Sequence, residues 1–100
     1  MQAKILIKRK FRTGKKKEII SVLRELRSRA MDQPGYISGQ TLASPEHPQQ
    51  LMVIGTWVNL ESWHNWCTNP TRQALEQILE SYQMGPTEYQ EFILGGFIED

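Results

Sequence analysis

Residues 34–57, PGYISGQTLASPEHPQQLMVIGTW, hold two apolar stretches separated by a proline-rich turn. Pro34-Gly35 interrupts whatever precedes it, and Tyr36 to Leu42 has the composition of a strand. Ser44-Pro45-Glu46-His47-Pro48 then turns the chain, and Leu51 to Trp57 resumes as a strand almost without polar alternation. This is a hairpin whose second strand is covered on both faces. One face requires helices and the other requires a partner.

Outward from the hairpin, the flanking segments carry the remaining elements, with no internal repeat. From Lys4 to Phe11 the residues alternate, with Ile5, Ile7 and Phe11 on one side and Leu6, Lys8 and Lys10 on the other, which predicts a strand ended by Gly14. Between Lys15 and Ala30, Ile19, Val22, Leu23, Leu26 and Ala30 recur at helical spacing, while Arg24, Arg27 and Ser28 face water. After the hairpin, Asn59 caps a short helix to about Cys67. Asn69-Pro70 then opens another, to about Tyr82, with Ala74, Leu75, Ile78, Leu79 and Tyr82 on one face. Gly85-Pro86 precedes a last strand, Thr87 to Leu94, and Gly95-Gly96 leads into a short acidic tail.

The order is therefore βαββαβ, an α+β ferredoxin-like plan: a four-stranded antiparallel sheet with helices on one face. The chain of 100 residues reads as a single domain, with a core over about 3–94 and a tail over 95–100. Leu6, Met52 or Val53, and Phe92 or Leu94 would leave an apolar patch on the uncovered sheet face. That predicts a homodimer closed by two sheet faces.

Composition narrows the function classes. The longest wholly apolar run is Leu51-Met52-Val53-Ile54, against the ~20 residues of a membrane helix, and Met1 is not followed by a signal-like stretch. With a single cysteine, this reads as a soluble cytoplasmic protein that makes no membrane contact. Residues 1–30 carry eleven Lys/Arg against two acids, net +9; residues 31–100 carry Arg72 against nine acids, net −8. The basic stretch KRKFRTGKKK, 8–17, could grip nucleic acid or another anion. The chain lacks the stacking-aromatic motif of RNA-recognition domains, and its pI of about 7.9 argues against nucleic acid as partner.

All three tryptophans fall within 56–70, TWVNLESWHNWCTNP. At about 100° per residue, Leu60, Trp63 and Cys67 share one stripe, with Trp66 and His64 on opposite flanks. Trp63 belongs to the core, Trp57 to the core or a cavity wall, and Trp66 borders a pocket where it could stack on a flat ligand. His64, three residues before Cys67, is within hydrogen-bonding reach of an activated thiolate, though no third, orienting residue is identifiable. His47, His64 and Cys67 are the only soft ligands and form no paired motif, so no metal is expected. Phosphate loops, nucleophile elbows and cofactor motifs are also absent.

From Gln33 to Pro70 the sequence resembles the central segment of antibiotic biosynthesis monooxygenase (ABM) domains. The shared features are the Pro34-Gly35-Tyr36 entry, the hairpin, the strand ending in Trp57, the polar helix start and the aromatic before an Asn-Pro cap. With its flanks the resemblance covers about residues 3–94. It implies a dimeric α+β barrel and O₂ chemistry on a small aromatic or quinol-like substrate, without cofactor. Such a substrate, once deprotonated, supplies the electron to oxygen, so the protein must bind, orient and accept a proton. Trp66 stands where many members carry histidine and haem-degrading members carry tryptophan. The histidine and asparagine of the haem-degrading branch read here as Glu76 and Ile7, which argues against haem degradation. The candidate pocket set is Trp66, Asn59, Asn65, His64, Tyr36, Arg72 and Tyr82, with the catalytic group unassigned. The alternative from another class is a non-catalytic module that binds a small molecule, an anion or nucleic acid through the basic segment.

Overall fold

A computed structural model describes residues 1–98. The expected order is found: β1 (Ala3–Lys10), α1 (Lys16–Met31), β2 (Tyr36–Ala43), β3 (Gln50–Trp57), α2 (Leu60–Cys67), α3 (Pro70–Glu80) and β4 (Glu88–Ile93). The strands form one open antiparallel sheet in the order β2-β3-β1-β4. Among the described residues, no helix is long and apolar enough to cross a membrane. The tail expected over 95–100 is described as far as Ile98, and Phe97 and Ile98 are almost fully exposed. Glu99 and Asp100 lie outside the described residues.

The alternation in β1 sets the two faces. Ala3, Ile5, Ile7 and Arg9 are buried beneath the helices, and Leu6 and Lys8 lie on the other side. Cross-strand register assigns Met52 and Phe92 to the open face, through Lys8↔Met52 and Lys4↔Phe92, while Val53 lies opposite Ile7 on the helix side. On the open face, Phe92 and Leu42 are exposed apolar side chains.

Two local features shape the helix side. Between Tyr36 and Ser38 the β2/β3 register shifts, so that Tyr36 pairs with Trp57 and Ser38 with Thr56. This bulge turns Tyr36 to the same side as Gly39, which simple alternation would place on the opposite face. Gly35 enters β2 at φ +86°, and a Cβ there would overlap Ser62 Oγ and stand 2.5 Å from Ser62 Cβ. Gly35→Ala should therefore lower stability by more than ~1 kcal/mol in urea unfolding, from backbone strain and overlap together.

The helices pack as amphipathic elements with one departure. In α1, Ile19, Leu26 and Ala30 are buried as expected, with Val22 and Leu23 packed against them. In α3 the expected stripe is rotated: Arg72, Glu76 and Leu79 are buried, Leu75 is half-buried, and Ala74 and Ile78 are exposed. An ion cluster with Arg9 draws the polar side of α3 inward. Apolar periodicity could not register that effect.

A cavity between sheet and helices

The cavity begins with two glycines. Gly39, Gly55 and Ile5 form one cross-strand row on the helix side, so two adjacent positions in the sheet have no side chain. A Cβ on Gly39 would stand 2.8 Å from the Tyr36 hydroxyl and 3.0 Å from an Arg27 nitrogen. Above this gap lies a cavity of about 80 Å³, walled by Trp57, Trp63, Trp66 and Tyr36 and reached by Arg9, Arg27, Arg72 and Glu76. The rings interlock: Tyr36 meets Trp57 edge-on at 5.3 Å and 88°, and Trp57 meets Trp63 at 6.1 Å.

A charged cluster closes one side. Glu76 Oε1 accepts from Arg9 and stands 3.3 Å from a terminal nitrogen of Arg72. All three residues are about 5% exposed or less. Arg72 also donates to the Tyr89 hydroxyl at 3.0 Å and to Cys67 Sγ at 3.8 Å, with its guanidinium 5.1 Å from the Trp63 ring centroid. Such a cation over an indole is attracted by the ring quadrupole. Arg9 Nε and Glu76 Oε2 are buried and have no hydrogen-bond partner among the described residues.

Of the pocket residues expected from sequence, Trp66, Tyr36 and Arg72 line this cavity and the other four do not. Asn59 caps α2, its Oδ1 accepting from Ser62 N at 2.8 Å. Asn65 is exposed, and Tyr82 is half-buried against the core. His64 is exposed with Nε2 2.8 Å from Glu91 Oε2, the same oxygen that accepts from Trp63 Nε1 at 3.0 Å. The histidine is thus engaged with β4, and the polar neighbour of Cys67 is Arg72.

Trp63, expected in the core, is both buried and a cavity wall. Arg9 and Glu76 line the cavity without belonging to the set expected from sequence. Arg9 shares the phase of Ile5, Ile7 and Phe11, and Glu76 follows Arg72 by one helical turn. Those two spacings are the available signal.

Beside the cavity runs a larger groove, about 630 Å³, between α1 and the far end of the β2–β3 hairpin. Leu23 and Arg27 belong to both. Phe11, Ile19 and Leu51 give the groove an apolar floor, and Arg12, Lys16 and Arg24 join Arg27 in making it basic. The basic stretch 8–17 does not form one continuous strip. Arg9 and Phe11 are buried under the helices, whereas Lys8 lies on the open face beside Glu88 of β4. Among the described residues no group of three His, Cys, Asp or Glu could hold a metal ion.

An open ferredoxin-like sheet with an aromatic, arginine-rich cavity beneath its helices describes a small α+β binding or catalytic domain. The family model for antibiotic biosynthesis monooxygenase matches residues 3–77, and the chain belongs to that family. SnoaB, a cofactor-independent oxygenase from Streptomyces nogalater, is similar in structure with TM-score 0.84, at 13% identity over 99% of this chain and 98% of its own. A conserved protein from Methanosarcina mazei gives TM-score 0.86 at 15% identity, over 92% and 91%. Rv0793 from Mycobacterium tuberculosis gives 0.84 at 8% identity, over 99% and 100%. At such identities the likeness is one of fold. No curated protein matches the sequence.

Proposed function

We propose that this protein is a cofactor-independent monooxygenase that acts on a small aromatic, quinol-like compound in the cavity between sheet and helices. The observation that carries the reading is the cavity itself: three tryptophans and a tyrosine around a gap opened by Gly39 and Gly55. Flat rings stack on such walls. The cavity is about half the ~150 Å³ that accommodates benzene in a dry protein interior. A substrate of two or three rings therefore extends past Leu23 and Arg27 into the adjoining groove.

In this reading the ionised substrate gives its electron to dioxygen. One oxygen atom stays on a ring carbon in place of hydrogen, the hydroxyl becomes a carbonyl, and the second oxygen atom leaves as water. Trp66 stacks on the ring, the Tyr36 hydroxyl orients it, and Arg72 faces the developing negative charge. Family membership and the likeness in fold to SnoaB, a cofactor-independent oxygenase, support the reaction type. The exposed Phe92 and Leu42, with Leu6, Met52 and Ile54 beside them, support a homodimer closed through the open sheet faces.

The test is a fluorescence titration of wild type and Trp66→Phe with naphthols and quinols, with oxygen uptake recorded in the same samples. Loss of the indole face should weaken quenching and uptake together by about tenfold, the scale of one aromatic stacking contact. Tight binding with no oxygen uptake for any quinol would instead make this a binding module.

A further inference from the structure

We propose that the groove between α1 and the hairpin is an anion subsite, which receives a carboxylate-bearing substituent of the ligand whose ring occupies the cavity. The inference rests on the aromatic ligand class proposed above. It concerns a group remote from the reacting hydroxyl and names a feature of the substrate that the cavity alone does not select.

The two spaces are joined where Leu23 and Arg27 line both. Arg27 reaches from α1 to β2. One terminal nitrogen lies 3.5 Å from Thr41 Oγ1, and a Cβ on Gly39 would come within 3.0 Å of the same nitrogen. The guanidinium therefore stands over the row of the sheet that lacks side chains, where the cavity ends and the groove begins. A ligand that outgrows the cavity of about 80 Å³ in this direction meets Arg27 first.

The charge of the groove has one sign. Arg12, Lys16, Arg24 and Arg27 line it, whereas no Asp or Glu does; Glu18 of α1 and Glu46 of the hairpin turn lie outside its lining. None of the four cations is in an ion pair among the described residues, and Glu25, the acid next to Arg24, is bonded to Arg29 at 2.8 Å. Scattered surface cations imply nothing, but these rim the apolar floor of Phe11, Ile19 and Leu51. Low-dielectric walls that carry one sign of charge focus the field within a cleft. The matching ligand is apolar with an anion at its end. Three of the four cations are arginines, whose planar fork meets a carboxylate through two parallel hydrogen bonds. A neutral polycycle would satisfy the floor and leave the rim without a counter-charge.

The test compares 6-hydroxy-2-naphthoate with its methyl ester by calorimetric titration of the full chain at neutral pH. The two probes share the rings and the hydroxyl and differ in charge at the far end. The wild type should bind the acid about fivefold more tightly than the ester, the scale of one or two exposed ion pairs. That gap should close at about 1 M salt, where the screening length falls to about 3 Å. The double variant Arg24→Gln/Arg27→Gln should also close it; both positions are exposed, so folding is retained. Lys8→Gln/Lys10→Gln removes the same charge from the other side of β1 and should leave the gap as it is. Equal affinities in the wild type overturn the proposal, as does a gap that survives salt or the arginine variant. So does a gap that the lysine variant closes as far, since net charge would then suffice. Affinities for both probes unchanged by Trp66→Phe would put the whole probe in the groove and overturn the two-part site. No binding of either probe overturns the subsite and, if naphthols and quinols also fail to bind, the aromatic ligand class with it. Acid preference without oxygen uptake from any quinol would overturn the oxygenase reading and leave the subsite standing. Uptake with equal affinities would overturn the subsite alone.

Discussion

Glu76→Ala should lower the unfolding free energy by about 3–5 kcal/mol, the usual penalty for removing one partner from a buried ion cluster. The reason lies less in the lost attraction than in what remains. Arg9 and Arg72 are 5% and 4% exposed, and the single oxygen they share would be gone. Arg72 would keep Tyr89 and the Trp63 face, but Arg9 would have neither counter-charge nor a side-chain acceptor among the described residues. For a domain whose whole stability is of order 5–15 kcal/mol, this is a large fraction. Urea unfolding followed by tryptophan fluorescence measures it. A loss below about 1 kcal/mol would mean that water or ions reach the guanidiniums readily, contrary to their burial.

Trp63→Ala should produce a loss of similar size, about 3–5 kcal/mol, for a different reason. Trp63 packs on Trp57 and Tyr89 with ring centroids 6.1 Å apart in both pairs, lies beneath Arg72, and donates from Nε1 to Glu91 at 3.0 Å. Alanine would merge the existing cavity with the volume of an indole and leave α2 without its main attachment to β4. Trp63→Phe separates the contributions: it retains most of the apolar area and loses the hydrogen bond, for about 1 kcal/mol. Thermal melts of the two variants side by side test the division. Equal losses would place the whole effect in the indole N–H.

Alternation and helical spacing suffice to read the framework, because burial on one face imposes those periods directly. β1, α1 and the hairpin follow from Ile5, Ile7, Leu26 and the Pro34-Gly35 break. Less is legible where polar residues point inward. Arg9 sits at an inward phase and Glu76 one turn after Arg72, but a charge at such a position makes sense only beside its partner, and those two are 67 residues apart. The rotation of α3 has the same origin, as does the placement of His64 against Glu91 on a distant strand. The bulge at Ile37 escapes a sequence reading because a one-residue shift in pairing leaves no mark in composition. Of the pocket set, Trp66 comes inward with the buried face of α2, whereas Tyr36 is turned in by the bulge and Arg72 by the rotation of α3.

The central position of β1 has a consequence in time. The strand made first pairs with β3 and then with β4, so its partners lie about 40 to 90 residues further along the chain. Contacts of such long range slow the search for the native sheet. Arg9 sharpens the effect, since it lies within the layer that must collapse and its counter-charge is on α3. A collapsed intermediate that buried β1 before α3 had docked would trap an unpaired guanidinium and reopen. Stable burial of Arg9 thus requires Glu76, so the first strand and α3 depend on each other for their final packing.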